Sequence, residues 1–273
     1  MSDYLIDGHM HLEYGPLDKE YVLEFVKAAK DKGLSEIQIL DHTHRFIEFE
    51  PMYEPLKKYE VQKTWLENKK MKFKDHLCNY ISVMKEIKEM DLGIRVRYGL
   101  EVCYTPDGEE LIKKIKDEYE FDFLVGAIHS IDGVLYDMPF SKELLWGVYD
   151  ADEIYRRYYE LLNQMIDSNL FDQIAHPDTI KMFNVYPTYD LRKTYELIAE
   201  KLKKKGIKAE CNTGCHYRYN HPDVGLSDEF LQILIDSGVD IITASDAHKP
   251  EDVGSYIKEA SERIEKMKEK NYV

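Results

Sequence analysis

The chain has 273 residues, 44% of them hydrophobic and 33% charged. No apolar run approaches the ~18 residues needed to span a bilayer, and MSDYLIDGHM lacks the basic start and apolar core of a secretory leader. A soluble, cytoplasmic globular protein without membrane association is expected, and its 37 Lys and Arg against 52 Asp and Glu, a formal net charge of −15, disfavour nucleic acid and suit a small substrate with cationic groups.

Along the chain, short β-rich apolar runs alternate with longer helix-period stretches. YLID is followed by 19–32, EIQIL by 72–90, IRVRYGL by 108–118 and FDFLVGAI by 152–168; FDQIA is followed by 190–205, IKAEC by 227–237 and DIITA by 251–268. Strands buried on both faces between helices indicate consecutive βα units around a parallel sheet. Seven units are one fewer than the usual (β/α) barrel has. Asp18 and Ser227 are predicted N-caps, with Glu20 and Glu229 in the first turns, and Gly33, Gly206 and Gly238 are predicted stops. No Pro/Gly/Ser-rich linker divides the chain, so one domain over 1–273 is expected.

Two stretches break the rhythm: 43–71, with Pro51 and Pro55, and 130–150, opening SIDGVLYDMPF. Both follow predicted strands, which places them over the carboxyl ends of the sheet, where loops carry specificity. Cys78, Cys103, Cys211 and Cys215 have neither zinc-ribbon spacing nor disulfide density and are read as buried, reduced thiols. The lysine-rich run at 201–206 reads as a solvated helix face.

Eight metal donors fall where predicted strands run out. They are His9 and His11 in DGHMH, His42 in ILDH, Glu101 in GLEV, His129 in GAIHS, His176 in IAHPD, and Asp246 and His248 in ASDAH. A single strand-end histidine is more often a hydrogen-bonded structural residue than a ligand; parallel strands, however, bring all eight to one face. The period of two within HMH and DAH points both members of each pair the same way. Imidazoles mixed with carboxylates suit Zn, Mn or Fe rather than Mg, Ca or a thiolate zinc site. Eight donors exceed the shell of one ion, so two or three divalent ions are expected, with Glu101 as their bridge. Such a centre makes a bridging hydroxide near neutral pH and stabilises both oxygens of an in-line phosphoester displacement. Neither a GxSxG elbow nor a Walker-type loop offers another route. Arg218, in NTGCHYRYNHP, is the candidate phosphoryl clamp, with an exposed loop arginine as the alternative reading.

In order, HxH, DH, a lone Glu, GAIHS-ID-G, AHPD, ECNTG with a following arginine, and SDAHKPEDVG resemble the PHP family, and within it the histidinol-phosphate phosphatases of histidine biosynthesis. The resemblance spans about residues 7–254. It implies a distorted (β/α)7 barrel with a trinuclear site: His9, His11, Glu101 and Asp246 on one ion, Glu101, His129 and His176 on a second, His42 and His248 on a third. Many relatives carry a further histidine shortly after HxH. This chain reads HLEYGPLD instead, which makes Glu13 the candidate replacement and Asp18 its competitor. His44 and Arg45 lie close to the third site, with structural roles as their alternative. The implied activity is hydrolysis of L-histidinol phosphate, with Arg218, Glu101 and Asp246 catalytic, and Arg218 and Lys181 holding the phosphoryl oxygens. Acidic or aromatic residues of the 43–71 and 130–150 loops would recognise the ammonium and imidazole groups. The alternatives are another small phosphomonoester or nucleotide, an amidohydrolase-like reaction, and a non-enzymatic metal-binding protein. Oligomeric state is not readable from the sequence.

Overall fold

The computed structural model describes residues 4–270. Its strands are β1 (Ile6–Met10), β2 (Glu36–His42), β3 (Arg95–Cys103), β4 (Phe123–Ala127), β5 (Ser130–Ile131), β6 (Val134–Leu135), β7 (Gln173–Ile174), β8 (Lys208–Asn212) and β9 (Ile241–Ala244). Seven of them form one parallel sheet in the order β1-β2-β3-β4-β7-β8-β9, while β5 and β6 make a small antiparallel hairpin beyond β4. The sheet curls until its edges meet. Met10 pairs with Ala247 just past β9, and the His11 amide donates to Ala247 O at 2.7 Å. Below that, the buried Asp7 carboxylate accepts from Ser245 N (2.8 Å), Ser245 Oγ (2.5 Å) and Gly254 N (2.7 Å). The result is the expected distorted (β/α)7 barrel.

The helices are α1 (Lys19–Asp31), α2 (Glu60–Leu66), α3 (Leu77–Lys88), α4 (Glu109–Glu118), α5 (Ala151–Asp167), α6 (Arg192–Lys205), α7 (Gly214–Tyr219), α8 (Asp228–Asp236) and α9 (Ile257–Lys270). Apolar residues at helical spacing bind them to the sheet: Val22, Phe25, Val26 and Ala29 in α1, and Tyr155, Tyr158, Tyr159, Leu162 and Ile166 in α5. Among the described residues, no helix is long and apolar enough to cross a membrane. Asp18 caps α1 by accepting from Tyr21 N at 2.9 Å, and Ser227 caps α8 through Phe230 N at 3.4 Å. Gly206 ends α6 in the left-handed region at φ 67°, which a side chain would disfavour.

On the strand faces that carry His42 and Glu101, Leu40, Phe123, Val125, Ala127 and Ala175 form a small buried apolar cluster. It is an apolar floor within the sheet. Above the carboxyl ends, the 43–71 segment folds into 3₁₀ turns over Thr43–Arg45 and Ile47–Lys58, followed by α2. Arg45, fully buried, fixes it by donating to Asp41 Oδ2 and Asp75 Oδ2, both at 2.7 Å. Gln62 ties it to the hairpin, donating to Gly133 O and accepting from Leu135 N, both at 2.8 Å.

Two expectations are corrected. The helix expected over 72–90, α3, begins at Leu77 rather than at 72, because residues 73–75 bond back to His44 O and Arg45 O, with Phe73 at positive φ. Of the four free cysteines, only Cys211 is buried; Cys78 is exposed and the other two are half-buried.

Gly99 lies on β3 opposite Phe123, and a Cβ there would come within 2.2 Å of the Phe123 carbonyl oxygen. The contact is with backbone, so the strands themselves would have to part. Gly99→Ala should destabilise the fold by about 1–3 kcal/mol, the usual cost of overpacking. A denaturant midpoint unchanged from wild type would show that the sheet has slack at this point.

Candidate metal centre

Every strand-end donor expected from the sequence arrives at one place. Strand β1 and the residue after it supply His9 and His11, whose Nε2 atoms lie 2.8 Å apart. From β2 comes His42, from β3 Glu101, and from just beyond β4 and β7 come His129 and His176. Asp246 and His248 follow β9. Asp246 has φ 59° and His176 φ 27°, so both carry backbone strain of the kind that gathers at functional sites.

Glu101, with no solvent exposure, sits at the centre. Its Oε1 lies 3.0 Å from His129 Nε2 and 2.9 Å from His176 Nε2. Its Oε2 lies 2.9 Å from His42 Nε2 and 3.6 Å from the Nε2 atoms of both His9 and His11. Asp246 Oδ1 approaches His11 Nε2 at 3.3 Å and His9 Nε2 at 3.8 Å. On the other side, Glu13 is 3.4 Å from His42 Nδ1 and 3.5 Å from His248 Nε2, and it also takes a 2.9 Å contact from His44. Asp18 remains the α1 cap and stands outside the group. His9, His11 and Asp246; His11, His42 and His248; Glu13, His42 and His44; and His42, Glu101 and His129 are each close enough to share an ion.

The rings are held from behind by residues that the sequence did not flag. Glu210 accepts from His9 Nδ1 at 2.9 Å, Gln173 Nε2 at 2.8 Å, Asn212 Nδ2 at 3.0 Å and the His176 amide at 3.2 Å. Asp137 accepts from His129 Nδ1 at 2.9 Å. A histidine whose Nδ1–H is given to a carboxylate presents Nε2 as a lone pair. Nε2 of His129 faces an anionic oxygen of Glu101 at 3.0 Å, so either a proton on that nitrogen or a metal ion must lie between them. Glu101 Oε2 and the Nδ1 atoms of His11 and His42 have no hydrogen-bond partner among the described residues. These donors fit divalent ions. Glu210 could have been read from the sequence, since it stands two residues before Asn212 on a strand already placed in the barrel; Asp137, two residues past β6, reaches the site only because the β5–β6 hairpin turns the chain back.

Charge follows the same logic. Burial would raise the Glu101 carboxyl, but His42, His129 and His9 outweigh it and hold it well below the usual carboxylate range. Burial lowers His9, yet Glu210, Glu101 and Asp246 carry it well above its ordinary value; against burial, Glu101 and Glu13 raise His42 to about 10. His11 is lowered well below its ordinary value by burial and by His42 and His248 beside it. The carboxylates therefore demand positive charge at the centre, which protons or metal ions supply in competition.

Arg218 lies at the edge, donating to Asp246 Oδ2 at 2.6 Å and to Asp246 O at 3.0 Å. Lys181 does not join the group. It is buried, and its ammonium is already committed to Asp178 (2.7 Å), Asp223 (2.8 Å) and Gly225 O (2.9 Å), so it has no donor left for a phosphoryl oxygen. A recess of about 200 Å³ opens beside the centre, lined by Glu13, His42, His129, His248, Trp65 and Asp137, among others.

The chain is 26% identical to a probable histidinol-phosphatase of Deinococcus radiodurans over 265 residues, covering 95% of this chain and 92% of that protein. It is 24% identical to a histidinol-phosphatase of Bacillus subtilis, covering 91% and 95%. In fold it resembles the crystal structure of histidinol phosphate phosphatase from Lactococcus lactis complexed with Zn, L-histidinol and phosphate, at TM-score 0.70 and 19% identity, over 96% of this chain and 93% of that one. The structure of a putative histidinol phosphatase from Listeria monocytogenes follows at TM-score 0.64 and 17% identity, over 93% and 99%. The PHP domain profile matches residues 7–214, well over half of the sequence, and the chain belongs to the PHP family.

Proposed function

We infer that the protein is a metal-dependent phosphomonoesterase that hydrolyses L-histidinol phosphate to L-histidinol and inorganic phosphate, a step of histidine biosynthesis. The observation that carries the reading is the buried Glu101 carboxylate, faced by Nε2 atoms of His129, His176 and His42, with an arginine at the rim. The substrate is favoured by the curated relatives, which bear this activity in their names, and by the Lactococcus structure, which holds L-histidinol and phosphate. The free thiols suit a reducing compartment, and we place the enzyme in the cytoplasm.

Two or three divalent ions, Zn, Mn or Fe, complete the site. His9, His11, Glu101 and Asp246 would hold the first, Glu101, His129 and His176 the second, and His42, His248 and Glu13 the third. When bound, such ions supply Lewis acidity and an activated water for in-line attack on phosphorus. The chain's own part is to orient and to neutralise. Asp137 and Glu210 lock the His129 and His9 rings; Arg218, always charged and forked, turns from Asp246 towards the peripheral phosphoryl oxygens. Asp137 from the second loop segment reaches the recess and gives the ammonium of histidinol an anion, while Trp65 from the first walls the same recess beside Lys72.

The substrate assignment is tested with the metal-loaded enzyme against a panel of phosphomonoesters. L-Histidinol phosphate should give the highest kcat/KM, and a strong chelator should abolish turnover until Mn, Zn or Fe is restored. A nucleotide preferred over histidinol phosphate would replace the substrate; turnover by verified metal-free protein would remove the chemistry.

Arg218→Ala should lower kcat/KM by roughly 10²-fold or more, as loss of a charge-assisted contact to a developing phosphoryl charge does, and Arg218→Lys should recover part. Wild-type kinetics in the alanine variant with metal content intact would exclude the clamp.

Glu210→Gln preserves shape and removes the charge behind His9. Competition with a chelator should show metal bound about 10–100-fold more weakly, the usual effect of losing an outer partner of a metal-binding histidine. Unchanged affinity would mean that the β1 strand alone orients the ring.

A further inference from the structure

Lys72 lies in the segment between α2 and α3 and is 6% exposed. The contrast with Lys181 is informative. Lys181 is buried between two carboxylates, whereas Lys72 has no Asp or Glu oxygen within ion-pair distance among the described residues. Its Nζ is 2.6 Å from His44 Nε2 and 4.0 Å from the centre of the Trp65 ring. His44 Nε2 is also 2.9 Å from Glu13 Oε2. One imidazole nitrogen carries either a hydrogen or a lone pair, so it cannot both accept from Lys72 and donate to Glu13. One of the two contacts is always left without its partner.

A buried ammonium short of an anion is costly. Lys72 also lines the recess beside His42, His129 and His248. The cation is therefore placed where an anionic ligand would enter. We propose that Lys72 contacts the phosphoryl group of the substrate, as a second protein cation alongside Arg218 and in the place that Lys181 does not fill. This rests on the phosphomonoesterase reading above. An entering phosphoryl oxygen accepts from Lys72 Nζ and gives the buried ammonium the anion it lacks.

The test uses the metal-loaded enzyme and inorganic phosphate as the probe, with Lys72→Met and Lys72→Gln to remove the charge, Lys72→Arg to restore it, and Lys70→Met as an exposed control of equal charge change. Both neutral variants retain a stem to cover Trp65, and the test is read on whichever keeps the wild-type Tm. The neutral variant should weaken inhibition by phosphate at least about tenfold and lower kcat/KM for L-histidinol phosphate about 10–100-fold, as loss of a hydrogen bond to a charged group does. Metal per chain and inhibition by L-histidinol, which lacks the phosphoryl group, should not change; Lys72→Arg should recover part, and Lys70→Met should match wild type. Unchanged phosphate inhibition would overturn the proposal, as would activity lost only in step with bound metal. Should wild type ignore L-histidinol phosphate yet bind phosphate through Lys72, the substrate assignment falls and the Lys72 contact stands.

Discussion

A single carboxylate governs this structure. Glu101 is buried in the middle of the barrel, where an isolated ion would cost several kcal/mol, and the group nearest its Oε2 is another site imidazole, His42, at 2.9 Å. Only positive charge supplied from several directions makes that burial tolerable. The neighbours meet the requirement: His129, His176 and His42 come from three other elements and converge on it, each bringing an imidazole that can bear a proton or face a metal ion.

Around that centre carboxylates behind the imidazoles fix the orientation of the rings. Glu210 is shared by His9, the His176 amide, Gln173 and Asn212, so one side chain couples β1, β7 and β8. Asp41 does similar work on the opposite side, accepting from Leu12 N at 3.1 Å and from Arg45 at 2.7 Å, which binds the chain after β1 to the loop after β2. The strained backbone of His176 is held by Glu210, and that of Asp246 by its amide bond to His9 O at 2.9 Å and by Arg218.

Much of this was legible in the residues because strand ends have a fixed geometry. A period of two in HMH and DAH, and apolar runs that stop at a donor, place His9, His11, Asp246 and His248 without any knowledge of loops. What could not be read depends on chain outside the βα rhythm. Asp137 gets its place from the chain just past the β5–β6 hairpin, and Lys72 reads as the start of a helix because 72–90 has a helical period. The true start at Leu77 is set by bonds from residues 73–75 to the segment around Arg45, a tertiary effect. Lys181 differs for another reason: Asp178, three residues before it, is a partner that spacing offers, but Asp223 comes from a remote segment that spacing alone does not pair with it.

The seam between β1 and β9 ties residues 238 positions apart, Asp7 and Ser245, and the donors lie immediately above it. Such long-range pairing forms late, since the entropy of closing so large a loop must be met before the contact stabilises anything. During synthesis the histidines of β1 emerge first and remain without Asp246 and His248 until nearly all of the barrel has followed. A nascent chain therefore holds only fragments of this donor cluster, and the group that could hold metal is complete only when the barrel closes.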